Sequence, residues 1–99
     1  MAGTTKDKKI GEIEFMPLTF PAEPLTFIFK AWGLADGTYG ATIEKHPHNA
    51  PLNLPERWYS LGEMIALMNL FKHGRVISNT LPPKIMERAR REAILLKLE

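Results

Sequence analysis

Three possible metal ligands stand at alternate positions in this sequence: Glu44, His46 and His48. A carboxylate and two neutral imidazoles are ligands that zinc accepts. Pro47 interrupts the extended backbone that would align them, and His73 would have to come from a distant segment to complete a four-ligand site. Histidines in a loop more often serve no metal, so the sequence predicts neither a metal site nor another cofactor.

The sequence contains few of the residue patterns that are typical of catalytic sites. The chain has no cysteine, which excludes a thiolate nucleophile and a disulfide framework, and it has no Gly-x-Ser-x-Gly elbow. Gly33, Gly37 and Gly40 lie between two predicted strands, whereas a phosphate-binding loop precedes a helix. Glu12 and Glu14 alternate along a predicted strand, where they form a solvent-exposed face. We therefore predict that the protein is not an enzyme.

Charge is distributed unevenly along the chain. Residues 10–63 carry three cations against seven anions, a balance of −4, whereas residues 72–91 carry six cations against one anion, a balance of +5. The six cations, here called the basic cluster, are Lys72, Arg75, Lys84, Arg88, Arg90 and Arg91. Such a cluster could contact phosphates, which makes a nucleic-acid-binding or ribonucleoprotein component the alternative function.

The spacing around the basic cluster disfavours a helix-turn-helix. About nine residues separate Lys72 from Pro82, whereas that motif uses a turn of roughly three or four. Glu87 and Glu92 are also placed to pair with the arginines on a solvated helix face. A plain charged surface is the simpler interpretation of the cluster.

The last predicted helix, from about Pro82 to Leu98, carries more apolar side chains than one core-facing stripe needs. The predicted core stripe consists of Ile85, Met86, Ala89, Ala93 and Leu96. The opposite side carries Lys84, Glu87, Arg88 and Arg91. Helical geometry rotates Ile94, Leu95 and Leu98 onto that charged side, where they predict a docking patch for a partner. The predicted interface includes the neighbouring cations Lys84, Arg88 and Arg91, which would steer it toward an acidic surface. The alternative is that the last turn bends into the fold or frays.

Alternating apolar residues predict the elements that position these groups. Three strands are expected at Ile10–Met16, Leu25–Trp32 and Thr38–Lys45, the last two forming a hairpin across a glycine-bearing turn. A mostly buried helix is expected at Trp58–Lys72, followed by a short extended piece at Arg75–Ser78 and then the last helix. Strands followed by helices predict an α+β fold, with a three-stranded antiparallel sheet and two helices packed on one face.

Local signals sharpen the first of these helices. Ser60 and Glu63 have the spacing of a capping box, and His73-Gly74 supplies a stop signal. Gly62 and Ala66 are small, which would let the last helix approach closely. Trp58 and Phe71 are expected in the core, as are Leu67 and Met68. If the second face of the sheet is uncovered, Thr26, Ile28, Lys30 and Trp32 would form a mixed binding platform.

The organisation predicted is a flexible tail over residues 1–9 and a single domain over 10–99. With 44% hydrophobic and 24% charged residues, and without a signal peptide or membrane span, a cytoplasmic protein is expected. The predicted function is that of a small non-catalytic binding protein, an accessory subunit or an inhibitor, whose protein partner offers an acidic and apolar surface. Its oligomeric state stays open, a homo-oligomer included.

Overall fold

Apolar side chains that alternate along the strands build one antiparallel sheet. The computed structural model describes residues 7–17, 25–46, 55–71 and 74–97. Its strands are β1 (Lys8–Pro17), β2 (Thr26–Gly33), β3 (Tyr39–His46) and β4 (Gly74–Asn79). They are arranged in the order β3-β2-β1-β4. Two helices, α1 (Leu61–Leu70) and α2 (Pro83–Lys97), pack on one side of the sheet, so the predicted α+β class is confirmed.

The predicted number of strands was wrong, because the described residues form a sheet of four strands. The extended piece expected near Arg75–Ser78 is β4, and it pairs with β1 in an antiparallel arrangement. All six of its residues are exposed, so no apolar alternation marked it as part of a sheet. Its pairing depends on a contact with residues some sixty positions earlier, which a local pattern does not reveal.

Thr80 closes the end of this pairing. Its Oγ1 accepts a hydrogen bond from the Glu12 N–H at 2.9 Å, and its own N–H donates to the Glu12 carbonyl at 2.9 Å. Thr80 thus joins the end of β4 to β1. The register of the pair shifts between Glu14 and Phe15, a bulge of the kind that protects an edge strand from further pairing.

The predicted hairpin is confirmed. β2 and β3 pair in continuous antiparallel register from Thr26 opposite His46 to Gly33 opposite Tyr39. Gly37 takes the turn conformation with φ of 89°. The Asp36 carboxylate accepts hydrogen bonds from the Thr38 hydroxyl and N–H, and these bonds lower the pKa of Asp36.

The core lies between the sheet and the helices. Its largest fully buried side chains are Ile13, Phe27 and Phe29 from the sheet and Leu61 and Met64 from α1. Small residues complete the core. They are Ala31 and Ala41 from the strands and Ala89 and Ala93 from α2. No polar or charged residue is buried among those that the structure describes.

Helix α1 begins with the predicted capping box and ends earlier than predicted. The Ser60 Oγ accepts from the Glu63 N–H at 3.0 Å, while the Glu63 carboxylate accepts from the Ser60 N–H at 2.9 Å. The helix stops at Leu70, and Phe71, whose backbone is extended, packs its ring 5.5 Å from that of Phe27. Gly74 belongs to β4 and does not cap the helix.

Three side chains expected in the core of this region are less buried than predicted. Trp58 precedes α1 and is 46% exposed; its ring lies edge-on to that of Trp32 at 6.3 Å. Leu67 and Met68 are partly buried and pack against the core from its margin. The fully buried large side chains described on this helix are those of Leu61 and Met64.

Candidate docking surface on the last helix

Glycine 62 fixes how closely α2 approaches α1. A Cβ at Gly62 would lie 2.7 Å from the backbone carbonyl carbon of Glu92 and 2.9 Å from the Ala93 nitrogen. Any larger side chain would therefore push the helices apart. The sequence predicted this close approach, and for Gly62 it is confirmed.

The inward side of α2 is shorter than predicted. Ala89 and Ala93 are buried, and Ile85 and Met86 pack against the core from its edge. Leu96 was expected to continue this stripe, but 42% of it is exposed. The close contact with α1 is made at Glu92 and Ala93, whereas the apolar side chains that follow them on α2 are exposed.

The end of α2 therefore presents apolar side chains to solvent. Ile94 is 59% exposed and Leu95 is 64% exposed, so their predicted exposure is confirmed. Ile94, however, borders α1 together with Arg90 and lies off the charged side on which the sequence placed it. Leu98, the third member of the predicted patch, lies outside the described residues. Their accessibility is a structural fact, whereas binding of a partner there stays a prediction.

The cations of α2 fall into two groups. The Arg88 Nε donates to the Glu92 carboxylate at 3.2 Å, and its guanidinium carbon lies 4.9 Å from the centre of the Tyr39 ring. In contrast, the described part of the chain provides no ion-pair partner for the other three cations of the basic cluster on this helix, which are Lys84, Arg90 and Arg91. Arg75 stands on β4, and Lys72 lies outside the described residues.

A concave site of about 280 Å³ lies where α1 and α2 meet. We call it the helix notch; its lining residues are Ile65, Asn69, Arg90, Ala93 and Ile94. Sequence reasoning missed this grouping and placed Arg90 in the nucleic-acid alternative alone. The separation of four residues between Arg90 and Ile94 could have indicated it, because such residues are neighbours on one helix flank.

A second concave site, also of about 280 Å³, lies on the other flank of α1. We call it the strand cleft; it is lined by Ile43, Tyr59, Glu63, Ala66, Leu67 and Leu70. Its single carboxylate, that of Glu63, is bound by Arg57 Nη2 at 2.8 Å. The Arg57 hydrogen bond, followed by that from the Ser60 N–H, lowers the pKa of Glu63.

The face of the sheet opposite the helices is internally bonded. The Trp32 Nε1–H donates to the Thr42 hydroxyl at 2.9 Å, and the Lys30 ammonium contacts the Glu44 carboxylate at 3.0 Å. This ion pair lowers the pKa of Glu44. Two residues of the proposed binding platform, Lys30 and Trp32, are thus engaged with their neighbours on β3.

The possible metal ligands are only partly placed. His46 Nε2 lies 3.7 Å from a carboxylate oxygen of Glu44, while His48 and His73 lie outside the described residues. Across residues 7–17, 25–46, 55–71 and 74–97, no group of three or more histidine and acidic side chains is arranged to hold a metal ion.

Comparisons of the chain with protein-family models, with curated proteins and with solved structures found no significant match. Neither helix in the described part of the chain is long and apolar enough to cross a membrane.

Proposed function

We propose that this protein is a small non-catalytic binding protein that docks on a larger macromolecular complex through α2, as an accessory subunit or an inhibitor. The observation that supports this proposal is the exposure of consecutive aliphatic residues, Ile94, Leu95 and Leu96, at the end of a basic helix. Single exposed apolar residues are ordinary on protein surfaces, whereas three large ones on a single helical turn leave the end of the helix to be covered by a partner.

Charge complements this apolar end. Lys84 and Arg91 share the outward side of α2 with Leu95, and no ion pair within the described residues neutralises them. Cations around an apolar contact steer an acidic partner into register and accelerate its association, while the buried apolar contact sets the dissociation rate. The proposed partner is therefore a protein with an acidic and apolar surface.

Contact with nucleic acid is the second candidate, since three cations of α2 are not paired with described residues. Its weakness is geometric. Arg88 is drawn toward Tyr39, whereas Arg90 lies on the opposite flank in the helix notch. A phosphate backbone would meet these cations on different sides of the helix.

Affinity capture with matched variants tests both candidates. The tagged full chain, Leu95→Asp and Leu70→Asp are each incubated with extract of the native cells, with and without nuclease. Leu70 is the control because it is the same residue type, is 75% exposed and lies in the strand cleft. We expect one partner to be retained by the wild type and by Leu70→Asp, with or without nuclease, and to be lost with Leu95→Asp.

Thermal unfolding accompanies this capture. Leu95→Asp should leave the melting temperature nearly unchanged, because surface substitutions usually alter stability by less than about 0.5 kcal/mol. Loss of capture after nuclease treatment, or steep loss on replacing Arg88 and Arg91, would favour nucleic acid. A large drop in melting temperature would mean that Leu95 belongs to the core and would remove the basis of the proposal.

A further inference from the structure

We infer that the helix notch is the anchor pocket of the α2 surface, and that it takes an aliphatic or aromatic side chain of a protein segment that carries a carboxylate close by. This inference rests on the proposed function and specifies the chemistry of the partner at that surface. It moves the centre of the interface from the predicted row of Lys84, Arg88 and Arg91 to Arg90 and Ile94.

The floor and one wall of the notch are apolar. Ile65 and Ala93 are 6% and 3% exposed and form its base, while the mostly exposed Ile94 stands beside them. The volume of about 280 Å³ falls just below the roughly 300–1,000 Å³ typical of small-molecule sites. It therefore suits a single large side chain, whose burial would also shield Ile94 from water.

The polar groups of the notch are mainly hydrogen-bond donors with no acceptor among the described residues. The Arg90 guanidinium carries five N–H donors and accepts no hydrogen bond, and the Asn69 amide carries two further N–H donors. Neither side chain has a hydrogen bond or ion pair with a described residue, and the described lining of the notch contains no acidic residue. A carboxylate beside the anchoring side chain would accept hydrogen bonds from Arg90, in the bidentate geometry that guanidinium groups favour.

A second copy of the chain fits this surface poorly. Helix α2 carries five cations and two anions, and one of those anions, Glu92, is already engaged by Arg88. Pairing two such helices would bring like charges together. An acidic segment relieves this excess, whereas a phosphate backbone would leave the apolar floor uncovered.

Selection from random displayed peptides tests the inference with a defined probe. The immobilised full chain is offered the library at about 0.15 M salt, where weak surface electrostatics are screened. We expect the selected peptides to combine a large apolar residue with Asp or Glu within about one helical turn. The synthetic peptide of the most enriched sequence then serves as ligand for the variants, with affinities measured by fluorescence anisotropy.

The decisive pair is Arg90→Gln and Arg91→Gln, neighbouring exposed arginines of which only Arg90 lines the notch. Loss of a charge-assisted contact should weaken the peptide about tenfold or more in Arg90→Gln. Arg91→Gln should change its affinity by less than about threefold, as for a peripheral charge. A peptide whose carboxylate is replaced by the amide should bind the wild type as weakly as the original peptide binds Arg90→Gln. Combining the amide peptide with Arg90→Gln should weaken binding little further.

Several results would overturn the inference: no enrichment, enriched peptides without acidic residues, or equal sensitivity to the two arginine changes. Loss with Leu95→Asp but not with Arg90→Gln would overturn the notch as anchor while leaving α2 as the docking helix. Self-association of the purified chain that Ile94→Asp abolishes would show that the occupant is a second copy.

Discussion

The two concave sites that flank α1 have the same volume and opposite chemistry. The strand cleft meets its one carboxylate with Arg57, and Glu63 also closes the capping box, so its polar groups are satisfied within the fold. The helix notch holds Arg90 and Asn69, which bond to no described residue. The volume of a cavity is therefore a poor guide to binding, whereas unmatched donors beside an apolar floor indicate what a partner must bring.

This contrast arises from the position of α1 between a strand and a helix. On one side, residues near its N-terminus fold back onto Tyr59, where Arg57 stacks 3.9 Å from the centre of the ring. On the other side, Gly62 lets α2 approach closely, and Arg90 and Ile94 line the notch between the two helices. Three substitutions should separate the contribution of the helix core from those of the notch side and the strand-cleft side of α1.

The largest effect is expected from Met64→Ala, which removes a fully buried side chain of α1, the helix that contributes residues to both sites. Because Met64 is fully buried, the change should lower the free energy of unfolding by about 2–5 kcal/mol. Leu67→Ala, at a partly buried position in the strand cleft, should lower the free energy of unfolding clearly less than Met64→Ala does. Urea denaturation measures both, and equal losses would show that α1 is seated differently from the structure described here.

Gly62→Ala should affect the notch side alone. Alanine favours a helix by roughly 1 kcal/mol over glycine, but its Cβ would overlap the backbone of Glu92. We expect a net loss of about 1–2 kcal/mol, since backbone is displaced less easily than a flexible side chain. Asn69→Ala, at an exposed site on the same helix, is the control. A Gly62→Ala protein more stable than the wild type would contradict the close crossing.

The smallest effect is expected from Glu63→Gln on the strand-cleft side. The hydrogen bond from Arg57 is the main cause of the lowered pKa of Glu63 in the folded protein, so its ionised form is preferentially stabilised there. This stabilisation is present above the unfolded value of about 4.3 and is lost as the pH falls through the lower folded value.

Glutamine retains the capping geometry but not the charge, so the variant should differ slightly from the wild type near neutral pH. That difference should shrink below about pH 4.3, and thermal unfolding at successive pH values would detect it. The partner Arg57→Ala should reduce the same acid-dependent component. A difference that grows as the pH falls would contradict the ion pair.

Much of the fold was predictable because its signals are local. Alternation in β1, β2 and β3 gave their faces, and the glycine-bearing turn gave the hairpin. Ser60 and Glu63 marked the start of α1 because capping involves residues three apart. The prediction failed where distant contacts decide. β4 pairs with β1, and Phe71 leaves the helix to meet Phe27.

The candidate surface divides in the same way. The exposure of Ile94 and Leu95 followed from helical rotation, whereas Leu96 was assigned to the core because rotation does not reveal where an overlying helix ends. That Arg90 and Asn69 line one notch could not be predicted, since the two residues stand on different helices.

The sequence by itself determined the class of each main helix and strand, the cap of α1 and the basic, apolar character of α2, because these depend on side chains within one or two turns. The tertiary structure alone decided the fourth strand, the crossing at Gly62 and the pairing of Arg90 with an apolar seam. Such features depend on which distant surfaces meet, and the periodicity of one segment carries no information about its neighbour across the core.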